Sequence, residues 1–225
     1  MSMPEHPVVF RRLLATLEPT MAAEPTLNVL ADIAGRLEAE LALLLVEDNN
    51  LFRVAGLPLT RQIDLRTGAA APLVAADLAA QIDAVAARWR RRLAELSERR
   101  RLRWSFRTVR GEAAGELMLA AGQDDLLVLN RKSGNAATAI TALRRTRQSI
   151  LLLSPATSAP RPVVALYRNG PRGRHVLAAA LRLAATGHHP LEVMAADREA
   201  AVAALDKAAV SSPAAANRRI VDLPA

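Results

Sequence analysis

Six consecutive apolar residues, Leu41-Ala42-Leu43-Leu44-Leu45-Val46, stand between a stretch of helical periodicity and the polar stop Glu47-Asp48-Asn49-Asn50. A strand with one wet face alternates apolar and polar side chains, so an unbroken apolar run belongs to a strand covered on both faces. A parallel sheet with helices on either side meets that condition. The preceding residues agree with it. Leu27, Leu30, Ile33, Ala34, Leu37 and Leu41 recur at helical spacing and mark one face of an amphipathic helix, with Thr26 as its expected N-cap. Residues 8–17, carrying Leu13 and Leu14 before the turn Glu18-Pro19-Thr20, read as an earlier strand. Strand, helix and strand within about 40 residues form a βαβ unit.

The same alternation continues. Residues 49–74, with Gly56, Pro58, Gly68 and Pro72, form a long connection of the kind that is often functional or folded into short elements. A helix follows over residues 75–101, with Leu78, Ile82, Val85, Trp89, Leu93 and Leu96 along one face. Residues 103–109 alternate, with Trp104, Phe106 and Thr108 on one side, and predict a half-covered edge strand. A short helix over 112–121, a buried strand over 126–129, a helix over 136–147 and a buried strand over 150–153 complete the series. The predicted fold class is α/β: a doubly wound, parallel five-stranded sheet. Residues 154–162 read as a linker, after which the βαβ plan restarts. Strands are expected at 162–167, 191–195 and 220–223, with helices at 175–186 and 198–210, a partial internal repeat. The expected units are 1–154 and 163–225.

Composition narrows the chemistry. With no cysteine, disulfides, thiol nucleophiles and thiolate metal sites are excluded. Alanine and leucine dominate the apolar residues, and only two Trp, one Tyr and three Phe are present, which favours close helix–sheet packing over a deep aromatic pocket. No segment has the pattern of a signal peptide or approaches a membrane span, so a cytoplasmic protein with no membrane partner is expected. The net charge of +8 divides evenly between residues 1–160 and 161–225, so it is not a basic tail. It favours polyanions electrostatically without selecting one.

The segment Asp125-Leu126-Leu127-Val128-Leu129-Asn130-Arg131-Lys132-Ser133-Gly134-Asn135 carries an apolar strand into a basic turn before a helix. At the carboxyl end of a parallel strand this is where anions bind. A loop that wraps a triphosphate needs several glycines for close backbone approach, and this one has one.

Taken together, the first strand, its helix, Val46-Glu47-Asp48, the long second helix and Asp125-Leu126-Leu127-Val128-Leu129 before a polar loop resemble a universal stress protein domain across residues 11–153. Residues 161–225 resemble the opening of a second such domain, as in tandem members. The resemblance implies a sheet of the adenine-nucleotide alpha-hydrolase type, a role in a bacterial stress or regulatory response, and dimerisation through the last strand. In nucleotide-binding members the first strand ends in Asp with a Gly-Ser turn, and the fourth leads into Gly-x-x-Gly, a spacer and Gly-Ser or Gly-Thr. Here Glu18-Pro19-Thr20 occupies the first turn, Asn130 stands where the first loop glycine is expected, and Ser133-Gly134 lies near the second. The spacer is almost absent before Ala136-Ala137-Thr138, and Tyr167-Arg168-Asn169-Gly170 replaces the Asp turn in the partial repeat.

Three functional readings follow. The first is a non-catalytic protein that acts by association, as a homodimer or with another protein, through the strand edge Ile150, Leu151, Leu152 and Leu153. The second is an adenine-nucleotide binder, taking ATP or AMP at a mouth formed by Thr16, Glu18, Val46, Asn130, Arg131, Ser133, Gly134 and Thr138. The third is a polyanion or nucleic-acid surface on the helix through residues 88–103, with Arg88, Arg91, Arg92, Arg99 and Arg100. No aromatic interleaving suggests base stacking there, and arginine stems also cover apolar helix flanks. The four histidines have no partners at metal-ligand spacing, Ser133 lacks a histidine base, and Glu47 and Asp48 alternate across a strand. Neither an enzyme nor a metal protein is expected.

Overall fold

In the computed structural model, residues 10–17, 23–130, 148–153, 162–209 and 218–222 are described. The first sheet has five strands: β1 (Arg12–Leu17), β2 (Glu40–Asp48), β5 (Trp104–Gly111), β6 (Asp125–Asn130) and β7 (Ser149–Leu153). Their order is β5-β2-β1-β6-β7, and all pairs are parallel. Among the described residues, four helices belong to this part of the chain: α1 (Ala23–Leu37), α2 (Asn49–Ala55), α3 (Ala75–Arg100) and α4 (Ala113–Ala120).

The central strands are apolar throughout because each face meets a different core. Leu13, Ala15 and Leu17 of β1, Leu41, Leu43 and Leu45 of β2, and Leu126 and Val128 of β6 pack with α1 and α3. The residues between them, Leu14, Ala42, Leu44, Val46 and Leu127, pack with Leu117 of α4. Period-two alternation therefore sends successive residues to opposite sides of the sheet, and both sides are dry. Edge strand β5 is only half buried, as its alternating sequence predicts.

Several boundaries differ from the sequence reading; the helix expected over 175–186, for example, runs over Pro171–Gly187. The first helix begins at Ala23, which places Thr26 inside the helix rather than at its N-cap. Pro25 sits in the first turn, where a missing backbone N–H costs nothing. Leu41 belongs to β2, not to the helix stripe. The long connection also folds into defined elements. Helix α2 is capped by Asp48, whose side chain accepts from the Asn50 N–H at 2.8 Å. An antiparallel ribbon then forms from β3 (Arg61–Ile63) and β4 (Ala70–Pro72). The predicted helix 136–147 lies outside the described residues, as does the linker apart from Pro162.

A second, three-stranded parallel sheet contains β8 (Val163–Tyr167), β9 (Leu191–Ala195) and β10 (Arg218–Asp222) in the order β10-β9-β8. Helices α5 (Pro171–Gly187) and α6 (Arg198–Ala209) cover one face, around Tyr167, Leu177, Leu181, Val193 and Leu205. The order β5-β2-β1 of the first sheet recurs here, so the chain carries a second, partial unit of the same plan. Helix α5 joins the two, since Ala179 and Leu183 enter the first core. Around that contact the Arg36 guanidinium donates to the Leu183 carbonyl, Arg182 pairs with Glu38, and Phe10 meets His175 edge to face.

One ion pair ties the amino ends of β1 and β6. Asp125 is 3% exposed. Its carboxylate accepts from Arg12 Nε at 2.9 Å, from Arg12 Nη2 and from the Gly122 N–H at 2.7 Å. Arg12 Nη2 also donates to the Ala120 carbonyl at 3.1 Å. Burial alone would push the Asp125 carboxyl up; the hydrogen bonds from Arg12 and Gly122 and the charges of Arg12 and Arg11 outweigh it and hold it below its ordinary value.

Candidate functional site

In a parallel sheet, ligands bind beyond the carboxyl ends of the strands, where helices begin. At that end of the first sheet, half-buried Thr16 of β1, buried Val46 of β2 and the main chain of Asn130 at the close of β6 come to one rim. Glu18, Arg131, Ser133, Gly134 and Thr138 lie outside the described residues. Both carboxylates at the end of β2 have structural partners. Glu47 Oε2 accepts from Arg110 Nε and Nη2, each at 3.0 Å, and that guanidinium lies 4.0 Å from the centroid of the Phe52 ring. Asp48 caps α2. The pair therefore fastens β5 and α2 to the end of β2.

The corresponding end of the second sheet holds an open cavity of about 370 Å³ lined by Leu166, Tyr167, Arg168, Asn169, Ala196 and Asp197. Parallel pairing of β8 on β9 sets Tyr167 beside Ala195, which brings the two strand ends together. Gly170 turns the chain at φ 126°, and α5 begins at Pro171. A Cβ on Gly173 would stand 1.8 Å from the Arg168 carbonyl oxygen, so only glycine lets the helix start so close to the strand end. The motif Gly170-Pro171-Arg172-Gly173 was the available sequence signal. Nothing local in the sequence announces Ala196 and Asp197 as its neighbours, because they arrive through sheet pairing.

Two of the α3 arginines are engaged in ion pairs. Arg88, Arg91 and Arg99 are exposed, whereas Arg92 pairs with Glu95 at 2.8 Å and Arg100 reaches Asp32 of α1 at 3.4 Å. The opposite face of α3 carries buried Ile82, Ala86, Trp89, Leu93 and Leu96. Among the described residues, no cluster of His, Asp or Glu could hold a metal ion, and no helix is long and apolar enough to cross a membrane.

Strand β7, the sequence-predicted association edge, pairs with β6 and ends the sheet. Ile150, Leu151 and Leu153 are half buried, and Leu152 is 50% exposed.

Comparison with solved structures fits this topology. The chain superposes on a universal stress protein from Archaeoglobus fulgidus with a TM-score of 0.54 and 13% identity, over 96% of this chain and 79% of that one. The fold is that of the universal stress proteins. A protein of the universal stress protein family from Burkholderia pseudomallei is also similar, at 21% identity over 64% of this chain and 96% of that one, with a TM-score of 0.39. No family model and no curated protein matches the sequence. At these identities it is the universal stress protein architecture that is shared.

Proposed function

We propose that this chain is a non-catalytic, universal-stress-type protein of the cytoplasm that acts by association in a stress or regulatory response, with residues 1–154 as one unit, 155–162 as a linker and 163–225 as a partial second unit. The observation that carries this reading is β7: an apolar edge strand whose outer backbone groups have no strand neighbour among the described residues. Such an edge is a template for pairing with another chain, and natural proteins cover it or blunt it with charge or proline. Ser149-Ile150-Leu151-Leu152-Leu153 contains neither. Pairing with a second copy would extend the sheet and remove Leu152 from water. Light scattering after gel filtration is expected to give a dimer for the wild type and a monomer for Leu152→Lys, whose charge would stand on the shared edge. A wild-type monomer across the micromolar range would overturn the reading.

A second reading, adenine-nucleotide binding, draws on the convergence of Thr16, Val46 and Asn130 at one rim. Asn130 stands where a glycine would let more amides approach a phosphate, so weak binding is expected at best. Titration calorimetry with ATP, ADP and AMP tests it. Saturable heat that is lost in Val46→Arg would support a bound nucleotide, and no heat at millimolar ligand would end the idea.

A further inference from the structure

More than half of the large apolar side chains exposed among the described residues lie between residues 51 and 74. The β3–β4 ribbon is their focus, and every residue from Arg61 to Pro72 is exposed. Its register puts Arg61 beside Pro72 and Ile63 beside Ala70 on one face, while Gln62 and Ala71 take the other. Leu59 and Leu65 flank that strand at its two ends, 96% and 98% exposed.

These leucines are presented on a defined scaffold. Asp64 closes the tip by accepting from the Arg66, Thr67 and Gly68 N–H groups, at 2.8, 3.2 and 2.7 Å. Thr60 accepts from the Leu73 N–H at the base. Leu59 follows Pro58 in a turn and holds φ at +68°, a conformation that suits glycine. Stability alone would favour a glycine or a polar residue at this position. A strained and fully exposed leucine in a hydrogen-bonded ribbon points to a contact made outside the molecule.

Charge selects the partner. Arg53, Arg61 and Arg66 lie in the same stretch of chain as the apolar residues, against one carboxylate, Asp64, whose side chain accepts from the Arg66 and Thr67 N–H groups, so the stretch keeps a net positive charge. Two such ribbons would repel each other, whereas an anionic surface with an apolar interior would satisfy both features. A leucine-tipped turn also needs no matching groove in a lipid headgroup layer. We propose that the β3–β4 ribbon is an interfacial anchor that places Leu59, Ile63 and Leu65 in the headgroup region of an anionic lipid surface, with the three arginines against its phosphates. The expectation of no membrane partner came from the lack of a spanning segment, and an interfacial contact requires none.

The test is sedimentation of the full chain with vesicles of roughly one part phosphatidylglycerol to two parts phosphatidylcholine, and with phosphatidylcholine alone. The wild type should sediment with the anionic vesicles at low salt, and much less with the neutral ones. Leu59→Gly and Leu65→Ser together should lower the bound fraction by about tenfold or more. Leu59→Gly alone should leave the melting temperature unchanged or raised, because it relieves the backbone strain while weakening binding. A residue kept for structure would give the opposite pattern. The proposal is overturned if the wild type stays in solution with anionic vesicles, or if the variants bind as well as it does. It is also overturned if the substitutions abolish self-association without lipid, which would assign the ribbon to a second copy of the chain.

Discussion

Replacing Arg12 by methionine is expected to cost about 3–5 kcal/mol of folding stability, measured by urea unfolding at neutral pH. The substitution keeps most of the apolar stem and removes only the group that neutralises Asp125. That carboxylate is buried at the amino end of β6, and without Arg12 it retains a single hydrogen bond, from the Gly122 N–H. A buried charge that loses its partner is penalised far more than the intact pair stabilises, so the double variant Arg12→Met/Asp125→Leu should recover most of the loss. A double variant as unstable as the single one would show that the arginine acts through packing instead.

The same pair makes a signed prediction about pH. The folded Asp125 carboxyl titrates below its ordinary value of 3.8, so the unfolded chain binds more protons through that window. Its contribution is complete above the unfolded value and is lost as pH falls through the depressed folded one. Asp125→Asn should therefore flatten the acid limb of the stability curve relative to wild type. In Arg12→Met the lowering due to that guanidinium is lost, so the variant should lose less stability than wild type as pH falls through the acid limb.

The second large effect is expected at Trp89. It is a fully buried side chain at the centre of the α3 stripe, within the core shared with α1 and the sheet. Trp89→Ala should cost about 3–5 kcal/mol, since the surrounding leucines cannot collapse fully into the vacated volume. Its Nε1 is buried without a hydrogen-bond partner among the described residues. Trp89→Phe removes that unsatisfied donor while keeping an aromatic ring, so it should cost far less, within about 1 kcal/mol of wild type. Thermal unfolding followed by circular dichroism checks both. Equal losses in the two variants would mean that the indole N–H has a partner in solution.

Much of the architecture could be read from the chain because it rests on local pattern. The run Leu41 to Val46 allows only a strand with two dry faces, and the stripe from Leu78 to Leu96 allows only a helix with one. The partial second unit followed from the repetition of those signals, whereas the strand order came from the structure. The β3–β4 ribbon was not legible, because three-residue strands with every side chain in water leave no hydrophobic period. The candidate rim was legible only in part. Thr16, Val46 and Asn130 could be placed at strand ends, but the partners that engage Glu47 and Asp48 come from Arg110 and from the amide of Asn50.

The sequence by itself determined which of the longer segments are strands and helices and which of their faces are dry, since side-chain periodicity is a property of neighbours along the chain. Only the tertiary structure decided what meets across it. Arg12 finds Asp125 through 113 positions of intervening chain. Asp197 reaches the mouth beside Tyr167 through the pairing of β8 with β9. Helix α5 lends Ala179 and Leu183 to the core of the other unit. Each of these contacts depends on where the backbone returns, and short-range periodicity carries no record of that.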